Sequence, residues 1–180
     1  KGTNALGNAF FIPFQNYLNN GYPQSPSGFD IVATEDNTTI EITPRKPIVG
    51  HPQNITFTIT LDAGETWSGR ATSTAASQHP FGTVVNSDKP IAITISDDSL
   101  NGTPYGGCAD LFGDQIVPID IVGTEYIAIK GNLNGPDKVF FIPTEANTTI
   151  SVNGNVVTTL NNLTSIYSHT LYANSAYYEA

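Results

Sequence analysis

One stretch of this chain is written twice. Residues 29–44, FDIVATEDNTTIEITP, return as residues 139–154, VFFIPTEANTTISVNG. Thr34, Glu35, Asn37, Thr38, Thr39 and Ile40 recur as Thr144, Glu145, Asn147, Thr148, Thr149 and Ile150 at a constant spacing of 110. A repeat constrains the architecture more than any single pattern, because both copies must fold by the same local rules. Each copy reads as a β-hairpin. An apolar run (Phe29, Ile31, Val32) meets a polar turn and leaves it as a Thr/Ile strand. Asp36 and Asn37 suit the turn, since their side chains bond nearby backbone and tolerate left-handed conformations. The β-branched run suits a pleated surface.

The rest of the chain alternates in the same manner. Ile55, Phe57, Ile59 and Leu61 fall on one face of a strand, with Thr56, Thr58 and Thr60 on the other, which is the period of a half-buried strand. Asp62–Glu65 breaks it with a turn. Residues 68–80 read as a small polar loop, 81–86 as a strand, 87–90 as a turn, 91–95 as a strand and 96–113 as the longest irregular segment. Tyr126, Ala128 and Lys130 alternate with Ile127 and Ile129. No window carries a helical period, so the chain reads as all-β and mainly antiparallel.

The repeat extends beyond the duplicated stretch. Leu6–Ile12 aligns with Val122–Ala128 at a spacing of 116, Thr60–Asp62 with Thr159–Asn161 at 99, and Gly82–Val85 with Ser175–Tyr178 at 93. The spacing shrinks as loops shorten in the second copy. Two tandem β units follow, one over residues 1–105 and one over 106–180, the second incomplete at its C-terminal end. Half-buried alternating strands want a facing sheet, so a β-sandwich-like packing is expected. Propeller-like blades are the alternative.

Composition narrows the function. The net charge is −9, which opposes nucleic acid and anionic membranes. No run of apolar residues is long enough for a membrane-spanning helix. Charged residues are only 13%, with 16 Gly and 12 Pro, so the surface is largely neutral and polar, as in secreted β proteins. Cys108 is the sole cysteine, which leaves stability to the core rather than to crosslinks.

The runs ATEDNTTI, LDAGETW, GTVVNSDKPIAIT and CADLFGDQIVPIDIVGTEYI, in that order and spacing, resemble the IgG-Fc-binding protein N-terminal domain family over nearly the whole chain. That family occurs in mammalian mucus and in very large secreted proteins of Bacteroidetes, beside adhesin and gliding-motility modules. The single cysteine looks closer to the bacterial branch, because the mammalian members are cysteine-rich. The resemblance implies a non-enzymatic extracellular or cell-surface module for adhesion or structure. Its partners would be proteins or glycans on a cell surface or matrix, and adjoining modules of the same polypeptide.

Several residues are candidates for a site. Asp97, Asp98, Asp110, Asp114 and Asp120 lie within 24 residues among turns. Ca²⁺ takes carboxylate and carbonyl oxygens from such segments, although the spacing is not that of an EF-hand. Asp97, Asp98, Asp110 and Asp114 are the proposed calcium set, against the alternative of turn carboxylates that cap backbone amides. Trp67 with Tyr22 and Tyr105, and Tyr17 nearby, would serve a carbohydrate-binding module as an aromatic platform, against core packing. Glu35 and Glu145 repeat, which suits turn support better than the facing carboxylate pair of a glycosidase. A hydrolase accessory domain is the weaker alternative. His51, His79 and His169 read as scattered surface histidines. Cys108 reads as an inert thiol. Asp98-Ser99-Leu100 resembles a short bacterial O-glycosylation acceptor, with Ser99 as the modified residue. Asn37, Asn54, Asn101, Asn147 and Asn162 head N-x-[ST] sequons.

Overall fold

The computed structural model describes residues 2–100, 110–132 and 135–180. The chain divides into two compact units, Lys1–Ile121 and Val122–Ala180.

The first unit holds β1 (Gly7–Phe11), β2 (Gly28–Ala33), β3 (Thr38–Thr43), β4 (Phe57–Leu61), β5 (Thr66–Arg70), β6 (Val84–Leu100) and β7 (Asp110–Gln115), joined in one antiparallel sheet. β6 is its spine. Residues 84–87 pair with β3 and residues 91–96 with β2. β1 and β7 take the opposite edge, as both Gly7 and Ala33 face Ile91. β2 and β3 therefore follow one another along a single edge of β6 and do not pair with each other. The duplicated stretch is not a hairpin but one long strand broken by a turn. β4 and β5 form a second broken strand along β3 and β2.

Three long strands are thus interrupted at the same level, at residues 34–37, 62–65 and 87–90. Each interruption has a cause in the sequence. Asn37 sits at φ 53 and Gly64 at φ 82, left-handed conformations that Asn and Gly tolerate. Pro90 has no N–H to give a ladder. Residues 87–90, expected as a turn between two strands, bulge within the single strand β6 between the Ala9–Asn86 and Gly7–Ile91 pairs. Cross-links fix the crease. Thr39 N donates to Asp88 Oδ1 (2.8 Å), Asn37 N to Asp62 Oδ1 (2.9 Å), Ala63 N to Asp36 Oδ1 (3.0 Å), and Lys89 Nζ reaches the Asp36 carbonyl.

The sheet curls at this crease into two leaves, β4-β3-β6-β1 and β5-β2-β6-β7, whose inner faces supply the core. Phe10, Ile40, Ile42 and Val85 of one leaf and Phe29, Ile31, Ile93 and Ile95 of the other are buried. This is the sandwich-like packing expected from the alternation. Two expectations about loops are corrected. Residues 68–80 begin as β5 and continue through a buried Ala71 and a short 3-10 turn at Ala76–Gln78. The 96–113 segment contains the end of β6 and most of β7. Tyr17 and Tyr22, for which core packing was the alternative, stand exposed on the connection between β1 and β2.

The second unit holds β8 (Glu125–Ile129), β9 (Asp137–Phe141), β10 (Thr148–Val152), β11 (Asn155–Leu160), β12 (Tyr167–Leu171) and β13 (Ser175–Glu179). Its four-stranded sheet, β11-β10-β13-β8, reproduces the leaf β4-β3-β6-β1, and its pair β12-β9 reproduces β5-β2. Tyr126 faces Tyr178 as Phe10 faces Val85, and Phe141 faces Tyr167 as Ile31 faces Trp67. Asn153 (φ 50) and Gly154 (φ 79) close the β10–β11 hairpin, the Asn-Gly choice that matches strand twist. Val152, Leu171, Ala176 and Tyr178 form the core, with Val139 and Phe141 half-buried against it.

Candidate functional site

The inner register of β6 runs Ile91, Ile93, Ile95 and then Asp97, so the apolar core ends in a fully buried carboxylate. Asp97 Oδ2 accepts from Gln15 Nε2 (2.9 Å), and Oδ1 accepts from Asn20 Nδ2 (2.7 Å) and Ser27 Oγ (2.5 Å). His79, also fully buried, lies with Nδ1 3.5 Å from Oδ2 and 2.9 Å from the Gln15 carbonyl. Burying a charge is costly unless it is bonded, and these donors repay the cost by tying the 13–27 connection and the Ala76–Gln78 turn to the end of β6. His79 is therefore not a surface histidine; its imidazole is part of this buried knot.

The other acidic candidates lie elsewhere. Asp98 is the next residue of the strand and so faces away from Asp97, while its carbonyl accepts from Asn20. Asp114, exposed on β7, faces Ile95, and its Oδ1 accepts the Gln115 N–H. Asp120 is exposed in a 3-10 turn. Asp110 and Ser99 are placed in β7 and β6, but their side chains, like Tyr105, Cys108 and Asn101, lie outside the described residues. Among the described residues no three His, Cys, Asp or Glu side chains gather in a metal-ligand group.

Trp67 points to the inner face of its leaf and belongs to an aromatic seam. Its ring lies 5.6 Å from Phe57, 5.9 Å from Phe29 and 6.1 Å from His51, and His51 stacks on Phe57 at 3.5 Å. Tyr22 stands exposed on a separate connection, and no ring contact joins it to Trp67. Glu35 and Glu145 serve their turns through backbone, each carbonyl accepting from a threonine hydroxyl three residues on (Thr38 and Thr148, both 2.7 Å).

The sequence reading missed a surface on the second unit. Ile127 and Ile129 of the edge strand β8 are 72% and 78% exposed, and Ile127 faces Tyr177 across the sheet. Glu125 and Glu179 form the adjoining pair. Desolvation pushes the Tyr177 phenol above its ordinary value, with Glu125 and then Glu179 adding to the rise. The alternation in 125–129 announced a strand with two faces. It did not say that the isoleucines take the outer one, because Tyr126 and Ala128 on the inner face are apolar too.

Two exposed aliphatic side chains beside a tyrosine, rimmed by carboxylates, have the make-up of a contact surface. A family model described as IgGFc binding protein matches residues 2–179, and the chain belongs to that family. No curated protein and no solved structure matches it. The family is one of extracellular binding modules that engage protein partners. Among the described residues, no helix is long and apolar enough to cross a membrane.

Proposed function

We propose that the chain is a non-enzymatic adhesion or structural module of a large secreted protein, attached to a cell surface or matrix, and that it meets protein partners through the Ile127–Ile129 face. The family match over residues 2–179 carries this reading. The exposed face supports it, because interface centres are apolar, carry aromatic anchors and are bounded by a polar rim. The single Cys108 favours the bacterial branch of the family, with gliding-motility surface proteins as its setting. The second reading, a carbohydrate-binding module, is favoured by the exposed Tyr17 and Tyr22.

The test immobilises the chain and presents an immunoglobulin Fc fragment, the ligand in the family's description, and separately a glycan array. Fc capture weakened by Ile127→Lys with Ile129→Lys supports protein contact by that face. Glycan capture lost in Tyr22→Ala moves the function to the second reading. Turnover of any glycan on the array, abolished by a single carboxylate substitution, overturns the non-enzymatic assignment.

A further inference from the structure

The two units differ at one sheet edge. In the first unit β2 is flanked on both sides, by β5 and by residues 91–96 of β6. In the second unit its counterpart β9 has β12 on one edge, and among the described residues no strand pairs with the other. The remaining edges of the second unit, on β8, β11 and β12, match edges that carry no strand of the sheet in the first unit either. Among the described residues, the β9 edge away from β12 is the one whose counterpart in the first unit carries a strand of the sheet. The burial difference agrees. Phe29 and Ile31 are fully buried under Ile95 and Ile93, whereas Val139 and Phe141 at the same places remain half-buried.

We propose that the free edge of β9 is a strand-acceptor site. Its occupant is an extended segment with aliphatic side chains at alternate positions, running antiparallel to β9 and entering as the continuation of β13 in the same polypeptide. The first unit supplies both the pattern and the register. There Ile91, Ile93 and Ile95 face Ala33, Ile31 and Phe29, so the incoming aliphatic residues would face Pro143, Phe141 and Val139. Main-chain bonds would give affinity and the alternate side chains would give register, as in β-strand addition. Covering Val139 and Phe141 would add the apolar burial the second core lacks.

The chain's own segment 87–96, SDKPIAITIS, is the probe. Added in trans to the 180-residue chain, it should raise the Tm and slow amide hydrogen exchange in residues 137–141, while a scrambled peptide should do neither. N-methylation of the peptide backbone on one edge should weaken binding about tenfold or more, because it deletes ladder donors without touching the protein. A chain carrying the same residues joined after Glu179 should show the higher Tm at every concentration and should no longer take up free peptide. Absence of protection at 137–141 overturns the acceptor site. Peptide uptake by the extended chain overturns the assignment to the same polypeptide. Concentration-dependent dimerisation of the original chain, reversed by the peptide, would reassign the edge to a second copy.

Discussion

The ring of Phe57 lies 5.6 Å from that of Trp67, centroid to centroid, although the 62–65 interruption separates them along the chain. Phe57 belongs to one leaf and Trp67 to the other, so the contact can form only because the sheet folds back at its crease. Trp67→Ala should cost about 2–4 kcal/mol. A Phe57→Leu/Trp67→Leu double-mutant cycle should return a coupling of about 1 kcal/mol. Urea unfolding read by backbone circular dichroism checks both. Additivity of the two substitutions would mean the leaves are not joined there.

Asp97 gathers three donors spread along the 13–27 connection, so Asp97→Ala should lower stability by about 3 kcal/mol and leave Gln15, Asn20 and Ser27 without their acceptor. Asp97→Asn should fall between. Calcium uptake by the acidic stretch, proposed above for Asp97, Asp98, Asp110 and Asp114, should raise the Tm in millimolar Ca²⁺. That response should survive Asp97→Asn, since Asp97 is committed to protein donors. Its loss in that variant would place the ion at Asp97.

Asn37 and Asn147 occupy the same left-handed place in the two units, at φ 53 and φ 61. Replacement by Ala should cost about 1 kcal/mol at each, and replacement by Gly should be close to neutral. Equal costs for Ala and Gly, measured by thermal unfolding, would show that the Asn side chain rather than its conformation is what matters.

The Tyr178 hydroxyl is buried with no hydrogen-bond partner among the described residues. Burial first, and Tyr167 second, raise its phenol above the ordinary value of 10.0. The unfolded chain therefore ionises before the folded one. Stability linked to this group is intact below about pH 10 and declines as pH rises from there through the folded value. Tyr178→Phe should be neutral or stabilising by up to about 1 kcal/mol at neutral pH, and it should flatten the alkaline decline. A decline as steep as in the parent chain would assign it to other groups.

Gly69 faces Phe29, and a Cβ there would sit 2.6 Å from the Phe29 ring and 3.0 Å from that of Trp67. Gly69→Ala should destabilise by about 1–3 kcal/mol through overpacking. A Tm equal to that of the parent would show that the two rings can shift.

Much of the fold was legible in the residues. The Thr/Ile alternation, the Asp62–Glu65 turn and the spacings of 116, 99 and 93 correspond to strand pairs that repeat between the units. What the residues could not reveal was pairing. A polar turn between two β runs looks the same whether the runs fold onto each other or share the edge of a third strand, and only β6 decides that for Thr34–Asn37. The site was less legible still. Asp97 reads like its exposed neighbours until Gln15, Asn20 and Ser27, distant in sequence, arrive around it. Ile127 and Ile129 read like core because both faces of β8 are apolar.

The crease also sets how the molecule would carry a load. Each long strand of the first unit is shared by both leaves, so tension along β6 passes into both leaves together and must shear several ladders at once. In the second unit, among the described residues, no strand is shared: β13 pairs only within the four-stranded sheet, and β9 and β12 pair only with each other. Under an extending force of the kind an adhesive protein meets, the second unit is the fuse, and a strand received on β9 would raise its breaking point.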